Sequence, residues 1–196
     1  NGTALNGSMR DTDRDRSSYL VVKANSNIDS INDLKDKKIG FGAIDSPQAR
    51  LIPINHLHKY GLEFGKDYIE KRFDIGVGLH GDHVGGELDS AIALKNDEVS
   101  GTWMLDLNYN AWIADGTLDE NQVKILSKTD LFDHCIFSGH PELEVSKFEK
   151  FIEVLHKMDY SNPDHKEMMD MEGLKEWISG RTSGFKQLTE ANEYLN

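Results

Sequence analysis

Residues 39–50 read Ile39-Gly40-Phe41-Gly42-Ala43-Ile44-Asp45-Ser46-Pro47-Gln48-Ala49-Arg50. The first four have the character of a strand that runs into a glycine-bearing turn, and Ser46-Pro47 then opens a helix. Serine accepts backbone N–H groups at an N-cap, and proline one position later loses nothing, because its N–H would have no partner there. The helix is expected to reach about Tyr60 and to close on Gly61 at the position that favours a left-handed residue. Pro53 inside it is expected to kink it or to loosen one turn. Strand, glycine turn and helix in that order form the repeating unit of an α/β layer.

The pattern extends in both directions. Tyr19-Leu20-Val21-Val22-Lys23 is apolar and β-branched, as a buried strand should be, and Ser30-Ile31-Asn32-Asp33-Leu34 begins a short helix with a serine cap and an acid three residues on. Downstream, Glu70–Gly76, Val99–Met104 and Val123–Leu126 read as further strands. A helix carrying Leu88, Ala91, Ile92 and Lys95 lies between the first two of these, with Asp82 as its expected cap despite Gly85 and Gly86 in its first turn. Residues 19–128 therefore alternate strand and helix, which predicts a complete α/β lobe with a mostly parallel sheet. Residues 1–18, rich in Gly, Asn, Asp and Arg and without apolar periodicity, read as a flexible lead-in or crossover.

Residues 129–196 change to helical character. Ser146-Lys147-Phe148-Glu149 has the form of a capping box, and Phe148, Phe151, Ile152, Leu155 and Met158 make one apolar stripe. Asn162-Pro163 starts a second helix; Leu174, Trp177 and Ile178 mark a third, ended by Gly180; Leu188, Ala191 and Leu195 mark the last. The Met and aromatic content of this part reads as core packing rather than a cofactor box.

Composition narrows the function. Lys+Arg 22 against Asp+Glu 34 gives a formal charge of −12, which excludes a nucleic-acid partner, since phosphate contacts need clustered cations. Hydrophobic content of 38% is enough for a packed core, and no apolar run reaches the ~18 residues of a membrane span. Cys135 is the one cysteine, so no internal disulfide forms.

Three loops gather polar residues at the carboxyl ends of strands, where open α/β sheets bind ligands. In Asp45–Arg50, the helix N-terminus and the Ser46 hydroxyl make either an anion cradle or an ordinary N-cap. Gln48 is placed to aim its amide at a ligand, and Arg50 either supplies charge or is solvated. In Gly78–His83, two imidazoles and a carboxylate (His80, Asp82, His83) suit a metal, an oxyanion, or a polar turn in which Asp82 caps the next helix. In Phe132-Asp133-His134-Cys135, the thiol sits in an apolar stretch and reads as inert. A Cys-His nucleophile is disfavoured because strand neighbours point to opposite faces. Nucleophile elbows and P-loops are absent, so no enzyme is expected and no cofactor.

Taken in order, these blocks resemble one family. Tyr19–Val22 followed by Ser30–Gly42 looks like the entry into the second lobe of a type II periplasmic binding protein. Asp45-Ser46-Pro47-Gln48-Ala49-Arg50-Leu51-Ile52-Pro53 resembles the Asp-Ser-x-Gln-Ala…Leu-Pro helix start of the PhnD-like phosphate/phosphite/phosphonate-binding family. Arg72-Phe73-Asp74, His80-Gly81-Asp82, Phe132–Phe137, Glu172–Trp177 and Gly180–Phe185 look like further blocks of one branch of it. The resemblance covers residue 17 to the end.

It implies a type II periplasmic-binding-protein-like α/β fold, with one complete three-layer α/β lobe plus the helical C-terminal part of a second lobe. It also implies a small anionic ligand, an ABC permease as partner and a periplasmic or extracytoplasmic location. On it, Ser46, Gln48 and Ala49 at the helix start, the histidine loop with His80, Asp82 and His83, and the return segment at Asp133 and His134 are the expected ligand-binding residues. The chain departs from better-characterised phosphonate binders, which carry Ser-Thr-Ser-Gly where this chain has Ser46-Pro47-Gln48-Ala49, so one backbone donor and two hydroxyls are absent. The chain is expected to amount to about two-thirds of a two-lobed protein, and a homo-oligomer is expected to cover the apolar surface that the incomplete lobe leaves near residues 145–195. The alternatives are a metal-binding or enzymatic site on His80, Asp82 and His83, or a non-transport sensor or interaction module of the same fold.

Overall fold

A computed structural model describes residues 2–4, 15–73, 83–133, 136–137, 139–171, 175–179 and 182–196. In chain order the strands are β1 (Gly2–Ala4), β2 (Asp15–Arg16), β3 (Ser18–Lys23), β4 (Lys38–Phe41), β5 (Ile69–Arg72), β6 (Gly101–Leu105), β7 (Val123–Lys128), β8 (Phe132–Asp133), β9 (Ile136–Phe137) and β10 (Trp177–Ser179). The helices are α1 (Ile52–Lys59), α2 (His83–Lys95), α3 (Asp106–Ala114), α4 (Val145–His156), α5 (Pro163–Met171) and α6 (Lys186–Leu195). The chain divides into two compact units, one of residues 17–130 with 187–196, the other of residues 1–16 with 131–186.

The larger unit is built on a five-stranded sheet of order β5-β4-β6-β3-β7. β4 is parallel to β5 and β6, whereas β3 is antiparallel to both β6 and β7. The mostly parallel expectation thus holds for four strands, with β3 inserted against them. Leu20–Val22 of β3 and Trp103–Leu105 of β6 are continuous apolar runs because both faces of the sheet are covered, so successive side chains are buried on either side. Leu20, Val22, Ile39, Phe41 and Trp103 pack with Ile54 and Leu57 of α1 and with Ile31 and Leu34 of a 3-10 turn on one side. Val21 and Met104 pack with Ala91 and Leu94 of α2 and Trp112 of α3 on the other.

The predicted Ser30 start is real in outline. The Asp33 carboxylate accepts the N–H groups of Ser30 and Asp29 at 2.8 and 3.0 Å. α1 ends as expected: Gly61 has φ 88°, Leu62 N–H donates to Leu57 O at 3.0 Å, and Gly61 N–H to His58 O at 2.8 Å. Gly86, in the first turn of α2, is explained by crowding, since a Cβ there would lie 2.3 Å from the carbonyl oxygen of Phe73.

The smaller unit has a three-stranded antiparallel sheet, β10-β1-β9, a β2–β8 pair, and α4 and α5. Here several expectations change. Gly2–Ala4 lies in the segment read as a flexible lead-in, yet it is the central strand, and Asp15–Arg16 pairs with Phe132–Asp133. Local composition carried no strand signal because the stabilising partners are more than a hundred residues away. Trp177–Ser179, read as helix from Leu174, Trp177 and Ile178, is a strand held by β1 in the register Ala4↔Trp177 and Thr3↔Ile178. α4 begins at Val145, so Ser146 lies inside the helix and does not cap it. Asn162 caps α5, its side chain accepting Asp164 N–H at 3.0 Å. The last helix is present but its residues 187–196 belong with the larger unit, where Tyr194 and Leu195 join the core.

Candidate functional site

The loop after β4 is closed on itself by bonds that its own sequence explains. Pro53 has no N–H for the carbonyl of Ala49 four residues earlier. That carbonyl accepts Gly42 N–H instead, at 3.1 Å, and ties the end of β4 to the start of the helix. The close approach requires glycine at 42, since a Cβ there would lie 2.7 Å from Ala49 Cβ. The expected loosening by Pro53 takes the form of a π turn over Pro47–Leu51, in which both Arg50 and Leu51 N–H groups reach Ser46 O, at 3.1 and 3.0 Å.

Within this loop Ser46, Gln48 and Ala49 are all buried. Ser46 N–H donates to Ala43 O at 3.0 Å, and its Oγ accepts Ala49 N–H at 3.1 Å. The Ala49 N–H is therefore engaged with the cap, while the Ser46 hydroxyl proton has no acceptor among the described residues. Gln48 O accepts from Ser18 Oγ at 2.5 Å. The Gln48 carboxamide, on a residue only 4% exposed, has no hydrogen-bond partner among the described residues.

Neighbouring strand ends meet at the same edge of the sheet. Ser18 opens β3 opposite Leu105, the last residue of β6, because the two strands run antiparallel. Asp106 follows directly: it is buried, its N–H donates to Ser17 O at 2.9 Å, and its Oδ1 accepts Leu107 N–H at 2.9 Å. Glu87 on α2 is fully buried, its Oε2 accepting from Leu105 N–H and Asn108 Nδ2, each at 2.8 Å. Thr129, just past β7, accepts Ser18 N–H at 3.0 Å and, through its carbonyl, Ser17 Oγ–H at 2.8 Å. The sequence reading missed Glu87 and Asp106. An acid directly after a fully apolar strand, as in Trp103-Met104-Leu105-Asp106, was the available signal for the second.

Arg50 is neither a free charge nor solvated. Its guanidinium is buried, Nε donates to Glu70 Oε1 at 2.6 Å, Nη2 to Oε2 at 3.3 Å, and Nη1 to Ile44 O at 3.0 Å. The cation is thereby neutralised within the fold.

The remaining candidates are distributed. Asp133 is buried in the smaller unit, in β8 opposite Asp15. His83 is the first residue of α2. His80, Asp82, His134 and Cys135 lie outside the described residues. Among the described residues, no group of three or more His, Cys, Asp or Glu side chains is arranged to hold a metal.

The strand–turn–helix unit thus lies at the carboxyl edge of the larger unit's sheet, where open α/β sheets bind ligands. A family model described as "ABC transporter, phosphonate, periplasmic substrate-binding protein" matches residues 4–185, and the chain belongs to that family. A probable ABC transporter phosphite-binding protein, PhnD1, of Prochlorococcus marinus is 29% identical over 205 aligned positions, covering 96% of this chain and 64% of that protein. An uncharacterised protein of Haemophilus influenzae is 36% identical over 118 residues, 60% of this chain and 86% of its own length.

Among solved structures, PhnD1 from Prochlorococcus marinus in complex with methylphosphonate superposes with a TM-score of 0.72 at 18% identity, covering 98% of this chain and 71% of that one. A binding-protein component of an ABC phosphonate transporter from Pseudomonas aeruginosa gives 0.68 at 15% identity over 99% and 60% of the two chains. The type II binding-protein fold expected from the sequence is therefore the fold of this chain, which spans 64% of the length of its Prochlorococcus relative. The family is periplasmic, and among the described residues no helix is long and apolar enough to cross a membrane.

Proposed function

We propose that this chain is the substrate-binding component of an ABC importer for a small oxyanion of the phosphate/phosphonate class, delivering it to a permease outside the cytoplasm. The observation that carries the reading is the pair of donors at the start of the 47–59 helix: the Ser46 hydroxyl and the Gln48 carboxamide, both buried and both with hydrogen-bonding capacity to spare. A ligand oxygen can accept from both, since neither the hydroxyl proton nor the carboxamide is spent on another of the described residues. The helix N-terminus adds a positive partial charge in the same direction. The net charge of −12 is no obstacle, because surface charges beyond about 10 Å are screened while the site answers to local dipoles.

We also propose His80, Asp82 and His83, and in the smaller unit Asp133 and His134, as ligand-binding residues, an imidazole being able to donate to an oxyanion. PhnD1 of Prochlorococcus marinus is a probable phosphite-binding protein whose solved structure holds methylphosphonate, so these two and inorganic phosphate are the probes of choice. Isothermal titration should give saturable binding of at least one, weakened about tenfold or more by Ser46→Ala and by Gln48→Ala. Absence of heat from all three, or wild-type affinity in both variants, overturns the reading.

The proposal includes self-association. Val145, Phe151 and Val154 of α4 are exposed apolar residues on the smaller unit, and a second copy covering them is the expected arrangement. Light scattering should report a dimer or larger species; a monomer at all concentrations refutes this part.

A further inference from the structure

Arg50 is the one large cation drawn into the ligand loop, and its placement is costly unless every donor is used. Withdrawing a guanidinium from water costs several kcal/mol, recovered only through close, well-oriented partners. The bidentate pair with Glu70 supplies two of them, and the Phe64 ring, 5.6 Å from Cζ, covers one face. The remaining contact is Nη1 to the Ile44 carbonyl at 3.0 Å. It also ties down a stretch whose Ile44 side chain is exposed, with Asp45 beside it half-buried.

We propose that Arg50 is a positioning residue that sets the conformation of the 44–49 loop, with Glu70 as its anchor on β5. This rests on the reading of that loop as the anion site. The arginine grips the loop twice: its backbone N–H holds Ser46 O and its side chain holds Ile44 O. Glu70 fixes the guanidinium from the sheet, where it lies opposite Ile39 in the β4–β5 register. The distance from Ile44 to Ser46 is thereby fixed at two points, and the Ser46 hydroxyl and Gln48 carboxamide are aimed before any ligand arrives. Lysine cannot replace this, because a single ammonium lacks the planar fork that serves Glu70 and Ile44 together.

The test uses the whole chain, as Arg50→Lys, Arg50→Met and the exchange Arg50→Glu with Glu70→Arg. Two quantities are read: amide hydrogen exchange at Ala49 in the ligand-free protein, with Leu20 in β3 as the global reference, and the Kd for methylphosphonate and inorganic phosphate. The exchange of charges restores an ion pair but moves the cation to β5, leaving Ile44 O without its donor. Expected are an Ala49 exchange rate about tenfold faster in Arg50→Lys and Arg50→Met at unchanged Leu20 protection, and an affinity about tenfold weaker. In the swapped variant thermal stability recovers while neither local quantity does. Unchanged Ala49 exchange in both single variants, or recovery of Ala49 protection in the swap, overturns the proposal. If the wild type binds neither probe while Ala49 responds as described, the positioning role stands and the anion reading falls.

Discussion

The carboxylate of Asp133 lies where a side chain at residue 184 would begin. A Cβ built on Gly184 would fall 2.1 Å from Asp133 Cγ and 2.2 and 2.6 Å from its two oxygens. Both residues belong to the smaller unit, and the buried carboxylate rests directly against the backbone of the 3-10 turn Ser183–Phe185. Glycine at 184 is thus a condition for the observed position of a proposed ligand residue.

Gly184→Ala should consequently push the Asp133 carboxylate from its seat. The expected cost is about 1–3 kcal/mol in urea unfolding, in the range of an overpacked interior, with weaker methylphosphonate binding in the same variant. Wild-type stability and affinity together would show that the carboxylate has room to move.

Gly42→Ala tests the closure of the loop in the larger unit. The new methyl would meet Ala49 Cβ at 2.7 Å, and the Gly42 N–H to Ala49 O bond would stretch. A loss of about 1–3 kcal/mol is expected from this overpacking. Titration calorimetry should show reduced oxyanion affinity alongside it.

His56 gives the fold an acid-side dependence. It is buried against Trp103 and Tyr60, its Nε2 is 2.9 Å from Ser127 Oγ, and burial pushes its pKa from 6.5 down to about 4. Asp130 opposes that shift and Lys59 adds to it. For a base whose folded pKa is lowered, the unfolded chain takes up the proton first. The contribution is therefore complete above pH 6.5 and is lost as pH falls from 6.5 towards 4. The loss should amount to about 1–2 kcal/mol once partial solvent screening is allowed for. His56→Gln should flatten this part of the stability curve, and parallel curves for the two proteins would contradict the assignment.

Tyr194 anchors the C-terminal helix on the larger unit. Its hydroxyl accepts Phe64 N–H at 3.1 Å and donates to Glu63 Oε2 at 2.9 Å, while its ring stacks on His58 at 3.9 Å between centroids. Tyr194→Phe keeps the stack and removes both bonds. Thermal unfolding should shift downward by about 2–4 °C, corresponding to about 1 kcal/mol for a chain of this size.

How much of this was legible in the residues depends on where each interaction partner lies in the chain. Tyr19–Lys23, Ile39–Phe41 and the Ser46-Pro47 start are decided by patterns of two to five neighbours, and these local signals named the lobe, the loop after β4 and the family resemblance. Gly61 and Asn162 ended and began helices as their types require. Trp177-Ile178 and Gly2–Ala4 could not be read in the same way, because they become strands only by pairing with each other across about 175 positions. α3 escaped notice for a related reason: Asp106 follows Leu105 with no turn residue between them, so strand passes into helix without punctuation.

By itself, then, the sequence determined the alternating α/β order and the capped helix start with Ser46 and Gln48. Only the tertiary structure decided that Arg50 is spent on Glu70 and Ile44, that Glu87 and Asp106 are buried at the strand ends around the loop, and that Gly42 and Gly184 are required by close approach. The physical reason is range. Capping and periodicity are properties of neighbouring residues, whereas burial, charge neutralisation and steric fit depend on which distant segments the fold brings within a few ångströms.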